Sequence, residues 1–154
     1  MRNLIIKKYF FVIANIFLIF LIHIIPVSAE PNNWSLIKQE KDGTRIYMDK
    51  DNLIFKNNTV KLWMKTIYTI NNSTFKKHQE SLREMGKQAD LKEVVFIEEI
   101  NCNENVFRVL TSIFYNASGE TIIRLEHDNP KWDTIPPGNI ADFQKKLLCT
   151  HFNQ

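Results

Sequence analysis

Between residues 34 and 69, short apolar runs alternate with residues that favour turns. This alternation is the feature that most constrains the fold, because it is typical of short β-strands joined by tight turns. Asp42-Gly43 predicts a two-residue hairpin, since glycine accepts the positive φ that such turns require. The last run has apolar side chains on both faces, so both faces of the sheet need some cover. The predicted strands are residues 34–40, 44–49 and 60–69, with a short extended piece at 52–55.

Residues 74–89 change to a helical periodicity. Apolar residues and one histidine recur there at spacings of three and four: Phe75, His78, Leu82, Met85 and Ala89. The pattern predicts an amphipathic helix that packs on the sheet. Gly86 weakens this helix by about 1 kcal/mol relative to alanine. We expect His78 to be a half-buried core residue rather than a ligand.

The sequence after residue 89 predicts a second group of strands, at residues 93–102, 105–116 and 120–127. Gly119 is the positive-φ residue of the last turn. A proline-rich loop follows, and Asn139 is an N-cap for a C-terminal helix. The inward stripe expected for that helix is Ile140, Phe143, Leu147 and Leu148. The predicted class is α+β: a mostly antiparallel sheet of about six strands, with the C-terminal helix packed on it and a helix between the two strand groups.

The first 29 residues have the layout of a secretory signal peptide. Arg2, Lys7 and Lys8 precede a long apolar run, and Val27 and Ala29 are the small residues before a cleavage site. We predict cleavage after Ala29 and export to the periplasm or the cell surface. The alternative is a retained membrane anchor, because the run is nearly long enough to span a bilayer. Membrane attachment is expected only in that case.

The three basic residues of this segment account for the formal net charge of +3, so residues 30–154 are neutral. A neutral domain without a basic cluster lacks the electrostatic footprint of a nucleic-acid-binding protein, and that class is excluded. The 125 residues from 30 to 154 match the common size of one domain. No phosphate loop, nucleophile elbow or metal-binding helix motif occurs in the sequence. We therefore predict no cofactor and place a binding protein ahead of an enzyme.

Cys102 and Cys149 are the two cysteines of the chain. An even pair in an exported domain predicts a disulfide, which would stabilise the fold by about 4 kcal/mol for a loop of this length. Helix geometry places Cys149 well around the cylinder from Ile140 and Leu147, so the helix must tilt or its last turn must fray. A metal site would need more histidine and cysteine ligands, and a catalytic thiol would need an adjacent base; these alternatives are less favoured.

Glu98 shares one face of its predicted strand with Cys102, whereas Glu99 points to the other face. A buried Glu98 needs a partner such as an arginine or lysine, and we expect a structural ion pair rather than an acid catalyst. A deep pocket lined by Glu98, Arg108 or His127, with perturbed protonation, would favour an enzyme.

The loop around Trp132 is the candidate contact site for a partner. Aromatic residues in loops frequently anchor protein contacts, and Lys131 and Asp133 flank this one. Alternatively, Trp132 packs against the edge of the hydrophobic core of its own domain.

A series of short motifs supports a family assignment. They are Trp34, "DGTRIYMD", "VKLWMKTIY", "EINC", Tyr115, Gly119, "WDTIPPGN" and Cys149, in that order. Together they resemble the bacterial surface-adhesin protein E family over roughly residues 34–149. The resemblance implies an exported domain with an antiparallel sheet, a C-terminal helix and a cysteine pair that joins the two. Residues 74–89 do not align with the family pattern, and no lipobox cysteine is present.

The founding member of the family is a surface adhesin that binds host matrix and serum proteins and can dimerise. The resemblance therefore implies an exported, non-enzymatic protein that binds a protein or other extracellular macromolecule, with homodimerisation as a further expectation. The alternative is a periplasmic structural or envelope-maintenance domain without an adhesive role.

Overall fold

The computed structural model describes residues 33–87 and 90–152, so the predicted signal peptide lies outside the described residues. The strands are β1 (Trp34–Gln39), β2 (Arg45–Asp49), β3 (Ile54–Lys56), β4 (Thr59–Ile67), β5 (Leu91–Asn101), β6 (Val106–Asn116), β7 (Thr121–Glu126) and β8 (Asp133–Thr134). They form one eight-stranded sheet in the order β1-β2-β4-β5-β6-β7, with β3 beside β4 and β8 beside β6. All these pairs are antiparallel. The predicted class and sheet are confirmed, but the count of about six strands was too low.

The two uncounted strands are short and each depends on a longer neighbour. β3 overlaps the extended piece predicted at 52–55 and joins β4 through a two-residue turn, in which Asn57 and Asn58 both have positive φ. β8 lies inside the predicted loop, where Asp133 and Thr134 pair with β6. The first hairpin also differs from its prediction: Glu40 N–H donates to Thr44 C=O at 2.9 Å, so three residues rather than two form the turn.

The two α-helices are α1 (Ser73–Glu84) and α2 (Ile140–Leu148), and a 3-10 helix at Cys149–Phe152 follows α2. α1 is shorter than the predicted 74–89, whose residue 89 is outside the described part. Gly86, at φ +71°, ends the helix instead of lying within it. Lys87 N–H donates to Leu82 C=O and Gly86 N–H to Arg83 C=O, which is the hydrogen-bond pattern of a Schellman C-cap.

Both helices cover the same face of the sheet, at opposite ends. In the β4–β5 register, Thr66 lies beside Val94 and Val60 lies beside Ile100, so these side chains share one face. α1 belongs to a buried cluster of Phe75, Leu82, Leu91, Val94 and Phe114. α2 belongs to a second cluster of Ile46, Met48, Val60, Leu62, Met64, Ile100, Ile135, Ala141, Leu148 and Cys149. A stretch of sheet between the helices remains accessible.

The inward face of α2 differs from the predicted stripe. Ala141, Gln144 and Leu148 are buried, whereas Phe143 and Leu147 are 40% and 44% exposed. The stripe is therefore shifted by one residue, which corresponds to a rotation of about 100°. This rotation turns the end of the helix so that Cys149 faces the sheet. The Asn139 N-cap is confirmed, because its side chain accepts a hydrogen bond from Asp142 N–H at 2.8 Å.

Candidate functional site

A groove of about 750 Å³ lies between the two helices, above the accessible part of the sheet. Its floor comes from β4, β5 and the residue after β4: Met64, Thr66, Tyr68, Phe96 and Glu98. Its walls include Asn139, Ile140 and Gln144 near α2 and Asn72 and Thr74 at the start of α1. The turn between β1 and β2 forms the remaining rim. The groove is therefore an open site with an apolar floor and one buried carboxyl group.

Glu98 reaches the groove floor because it alternates with Phe96 and Ile100 on the covered face of β5. The residue is 9% exposed. Burial raises the pKa of Glu98 to about 7, and a hydrogen bond from Gln144 opposes this shift. The carboxyl group is thus partly protonated near neutral pH, in contrast to an ordinary surface glutamate.

Gln144 is the partner of Glu98. Its Nε2 donates to Glu98 Oε2 at 3.3 Å. Gln144 is fully buried, and its Oε1 has no hydrogen-bond partner among the described residues. Unpartnered buried amide atoms cost free energy, so this oxygen marks an unsatisfied position beside the groove.

Aromatic side chains form the end of the groove towards α1. Tyr68 Oη lies 3.3 Å from His78 Nε2, and the His78 ring meets Phe114 edge-on with 5.3 Å between ring centroids. Burial raises the pKa of Tyr68 to about 12 and lowers the pKa of His78. His78 is therefore the half-buried core residue that the helical stripe predicts.

The predicted ion pair of Glu98 was wrong. Gln144 takes the place of the expected arginine or lysine, because a helix residue rather than a strand residue faces Glu98. Arg108 instead donates to Glu99 Oε2 from Nε at 2.8 Å and from Nη2 at 2.5 Å, on the opposite face of the sheet. His127 Nε2 lies 3.4 Å from Ser112 Oγ. Of the three residues named for a pocket, only Glu98 lines the groove.

Trp132 lies outside the groove. The Arg108 guanidinium carbon is 4.2 Å from the centroid of the Trp132 ring, so the ring stacks on the Arg108–Glu99 pair. Trp132 remains 36% exposed, and its neighbours Lys131 and Asp133 are also exposed. The side chain thus has both an internal packing partner and an accessible surface. Its role as a partner contact stays a prediction.

Cys102 and Cys149 form a disulfide, with their Cα atoms 5.4 Å apart. The bond joins the end of β5 to the residue that follows α2. Cys102 N–H also donates to Asn58 C=O at 2.9 Å, so the bond lies beside the β3–β4 turn. The pairing is the one that the sequence predicts, and it holds α2 against the sheet at one side of the groove.

Two functional candidates escaped the sequence reasoning: Gln144 and Tyr68. A signal for Gln144 was present, because it lies four residues from both Ile140 and Leu148 and so belongs to their helical face. Tyr68 gave no such signal, since its place on the groove floor depends on contact with α1.

Within residues 33–87 and 90–152, no group of three His, Cys, Asp or Glu side chains is arranged to hold a metal ion. The helices of the same residues are too short or too polar to cross a bilayer.

A comparison with known protein families agrees with the motif series. The family described as surface-adhesin protein E matches residues 34–150. A structure of Haemophilus influenzae protein E is similar at 12% identity and a TM-score of 0.47, over 79% of this chain and 86% of that chain. A crystal structure of protein E from non-typeable Haemophilus influenzae is similar at 12% identity and a TM-score of 0.48, over 83% and 82%.

A comparison with curated proteins gave no significant match. The family match covers both cysteines, the groove and the Trp132 loop, and it confirms the resemblance stated from the motifs. The chain belongs to the surface-adhesin protein E family.

Proposed function

We propose that this protein is an exported, non-enzymatic binding protein of the cell surface that recognises an extracellular macromolecule. The observation that carries the proposal is the match of residues 34–150 to the surface-adhesin protein E family. The signal-like first 29 residues support export, and residues 30–154 would then form the mature binding domain.

The Trp132 loop is the contact surface that we assign to this function. Arg108 holds one face of the indole ring, and Glu99 holds Arg108 in turn. A tryptophan held in this way presents a rigid, accessible ring, which is typical of residues that dominate the free energy of binding at protein interfaces. Lys131 and Asp133 add charges of both signs beside it.

Fractionation combined with protease digestion of intact cells tests the location. A surface protein is degraded from outside, whereas a periplasmic protein is protected until the outer membrane is opened. Binding to immobilised matrix and serum proteins then tests recognition. A protein that is wholly periplasmic and binds none of them would instead be the structural or envelope-maintenance domain.

The Trp132→Ala variant tests the contact surface, with Phe143→Ala as its matched control. Both side chains are exposed aromatics, at 36% and 40%, but Phe143 lies on α2. We expect Trp132→Ala to weaken binding at least about tenfold, as for an interface anchor, and Phe143→Ala to leave it unchanged. Equal effects of the two substitutions would contradict the assignment.

A further inference from the structure

The buried pair at the base of the groove has more hydrogen-bond acceptors than donors. Gln144 gives one N–H to Glu98 Oε2, and its own Oε1 has no partner among the described residues. An ionised carboxylate accepts several hydrogen bonds and donates none. When Glu98 is ionised, the pair would therefore be completed by a group that donates hydrogen bonds, and an ammonium group donates three and accepts none.

When Glu98 is ionised, the groove carries a negative charge for which the described residues provide no salt bridge. Burial and the Gln144 hydrogen bond are the two causes acting on the pKa of Glu98, and no basic side chain is among them. The basic residues of the rim lie elsewhere: Lys38 Nζ is 2.7 Å from Glu40 Oε1, and Lys41 is exposed. The buried carboxylate of Glu98 is poorly hydrated, so a bound cation would stabilise its ionised form.

Part of the groove lining is apolar. Ile46, Met64, Phe96 and Ile140 line the groove around the carboxyl group. A hydrocarbon chain that contacts these side chains would be removed from water, which is favourable. The site thus combines apolar side chains with one buried acidic group, whereas Glu40 and Asp42 lie on the rim.

We propose that this groove binds a primary ammonium group carried on an aliphatic chain, with the ammonium at Glu98 and the chain along Met64 and Phe96. A guanidinium fits less well, because it is a broad planar group with five donors in a fixed fork, whereas the pair offers the Glu98 carboxylate and the single unpartnered oxygen of Gln144. An ammonium is a compact charge that needs one free oxygen and can also donate to Gln144 Oε1 after a small movement of the amide. The source of this chemistry is a free amine or a lysine side chain of a protein.

Binding should be linked to the release of a proton from Glu98. Because the ammonium binds the ionised carboxylate, apparent affinity rises about tenfold between pH 6 and pH 8 for a carboxyl group with a pKa of about 7. Tyr68 and Asp42 do not titrate in this window, because the pKa of Tyr68 is raised by burial to about 12 and that of Asp42 is lowered by hydrogen bonds from Thr44 and Asn72.

The other ionisable groups near the groove lie on its rim or behind Tyr68, and α2 contributes none to the lining. The other ionisable groups on the rim are Lys38, Glu40 and Lys41. The group behind Tyr68 is His78, and burial lowers the pKa of His78.

Nuclear magnetic resonance titration of the protein purified from its own cells tests the proposal. The probes are n-butylamine, 1,5-diaminopentane and a short peptide with one lysine, and the neutral control probe is n-butanol. We expect an ammonium probe to shift the signals of Phe96, Glu98 and Gln144, with n-butanol at least about tenfold weaker. Binding by the amines supports a free ligand, and binding by the lysine peptide alone supports a protein source.

The decisive variant is Glu98→Gln, which keeps the size of the side chain and one oxygen that can accept from Gln144, but removes the charge. We expect it to weaken ammonium binding at least about tenfold and to abolish the pH dependence of the affinity. Glu99→Gln is the matched control, because Glu99 lies on the opposite face with Arg108 and should leave ammonium binding unchanged.

Three results would overturn the proposal: no ammonium probe shifts the groove signals, n-butanol binds as tightly as n-butylamine, or Glu98→Gln binds as tightly as the wild type. An unchanged spectrum away from the groove shows that the variant is folded. Adhesion through Trp132 is measured separately, so its failure and the failure of this proposal are distinguishable.

Discussion

Asn72 joins the first turn of the sheet to the start of α1. Its Nδ2 donates to Asp42 Oδ2 at 2.8 Å, while its Oδ1 accepts from the N–H groups of Thr74 at 2.9 Å and Phe75 at 3.1 Å. Asp42 in turn accepts from Thr44 N–H at 2.9 Å. One asparagine thus caps the helix and fixes the rim of the groove at the same time.

Replacement of Asn72 by alanine should lower the free energy of unfolding by about 1–2 kcal/mol, because α1 loses its N-cap and the turn loses a hydrogen bond. Urea denaturation measures this change. Asn71→Ala is the control, since Asn71 is exposed and should change the free energy by no more than about 0.5 kcal/mol. Equal effects at the two positions would show that the cap contributes nothing.

The protein should become less stable as pH rises from about 4.5 to about 7, because of Glu98. The pKa of this group is about 7 in the folded protein and has an ordinary value of 4.5, so the folded state binds its proton more tightly. Stability from this group is complete below pH 4.5 and is lost through pH 7, by about 3 kcal/mol in the unfolding free energy.

Urea denaturation at several pH values measures that loss. Glu98→Gln should remove this contribution, whereas Glu84→Gln, on the exposed surface of α1, should keep the wild-type profile. A Glu98→Gln profile parallel to that of the wild type would contradict the raised pKa.

Removal of the Gln144 amide should raise the pKa of Glu98 further, since the hydrogen bond from Gln144 lowers it. Gln144→Leu keeps a side chain of similar size, and the pKa is measured from the carboxyl carbon shift during a pH titration. Gln79→Leu on α1 is the control and should leave the pKa unchanged. A lower pKa in Gln144→Leu would exclude the amide as the partner of Glu98.

Loss of the disulfide should cost about 4 kcal/mol of unfolding free energy, for cysteines separated by 47 residues. The variant is the double replacement Cys102→Ala with Cys149→Ala, and its denaturation is compared with that of the chemically reduced wild type. The double variant and the reduced wild type should lose similar amounts of unfolding free energy. Two titratable thiols in the denatured, non-reduced protein would contradict the bond.

The strands of this fold were predictable where their side-chain alternation was long. β5 is buried at adjacent positions on both faces and shows no such alternation, but the nine residues of β4 alternate between buried and half-buried, so the faces of β4 could be assigned from the sequence. β8 could not, because its two residues lie in a proline-rich loop and form a strand only by pairing with β6. The end of α1 differs from its prediction because Gly86, at positive φ, terminates the helix instead of lying within it.

The groove was predictable only in part. Glu98 falls on the covered face when alternate residues are counted along β5 from Val94, but the sequence does not indicate its partner. The partner depends on the rotation of α2, and the apolar residues Phe143 and Leu147 suggested the wrong inward face. The bond to Cys102 and the packing of Leu148 favour the observed rotation, and neither is a local property of the helix sequence.

The bond between Cys102 and Cys149 encloses β6, β7, β8 and α2, together with the Trp132 loop. A protease that cuts this loop once therefore produces two fragments that remain one covalent molecule until the bond is reduced. The candidate contact surface can therefore be cut without the release of either half.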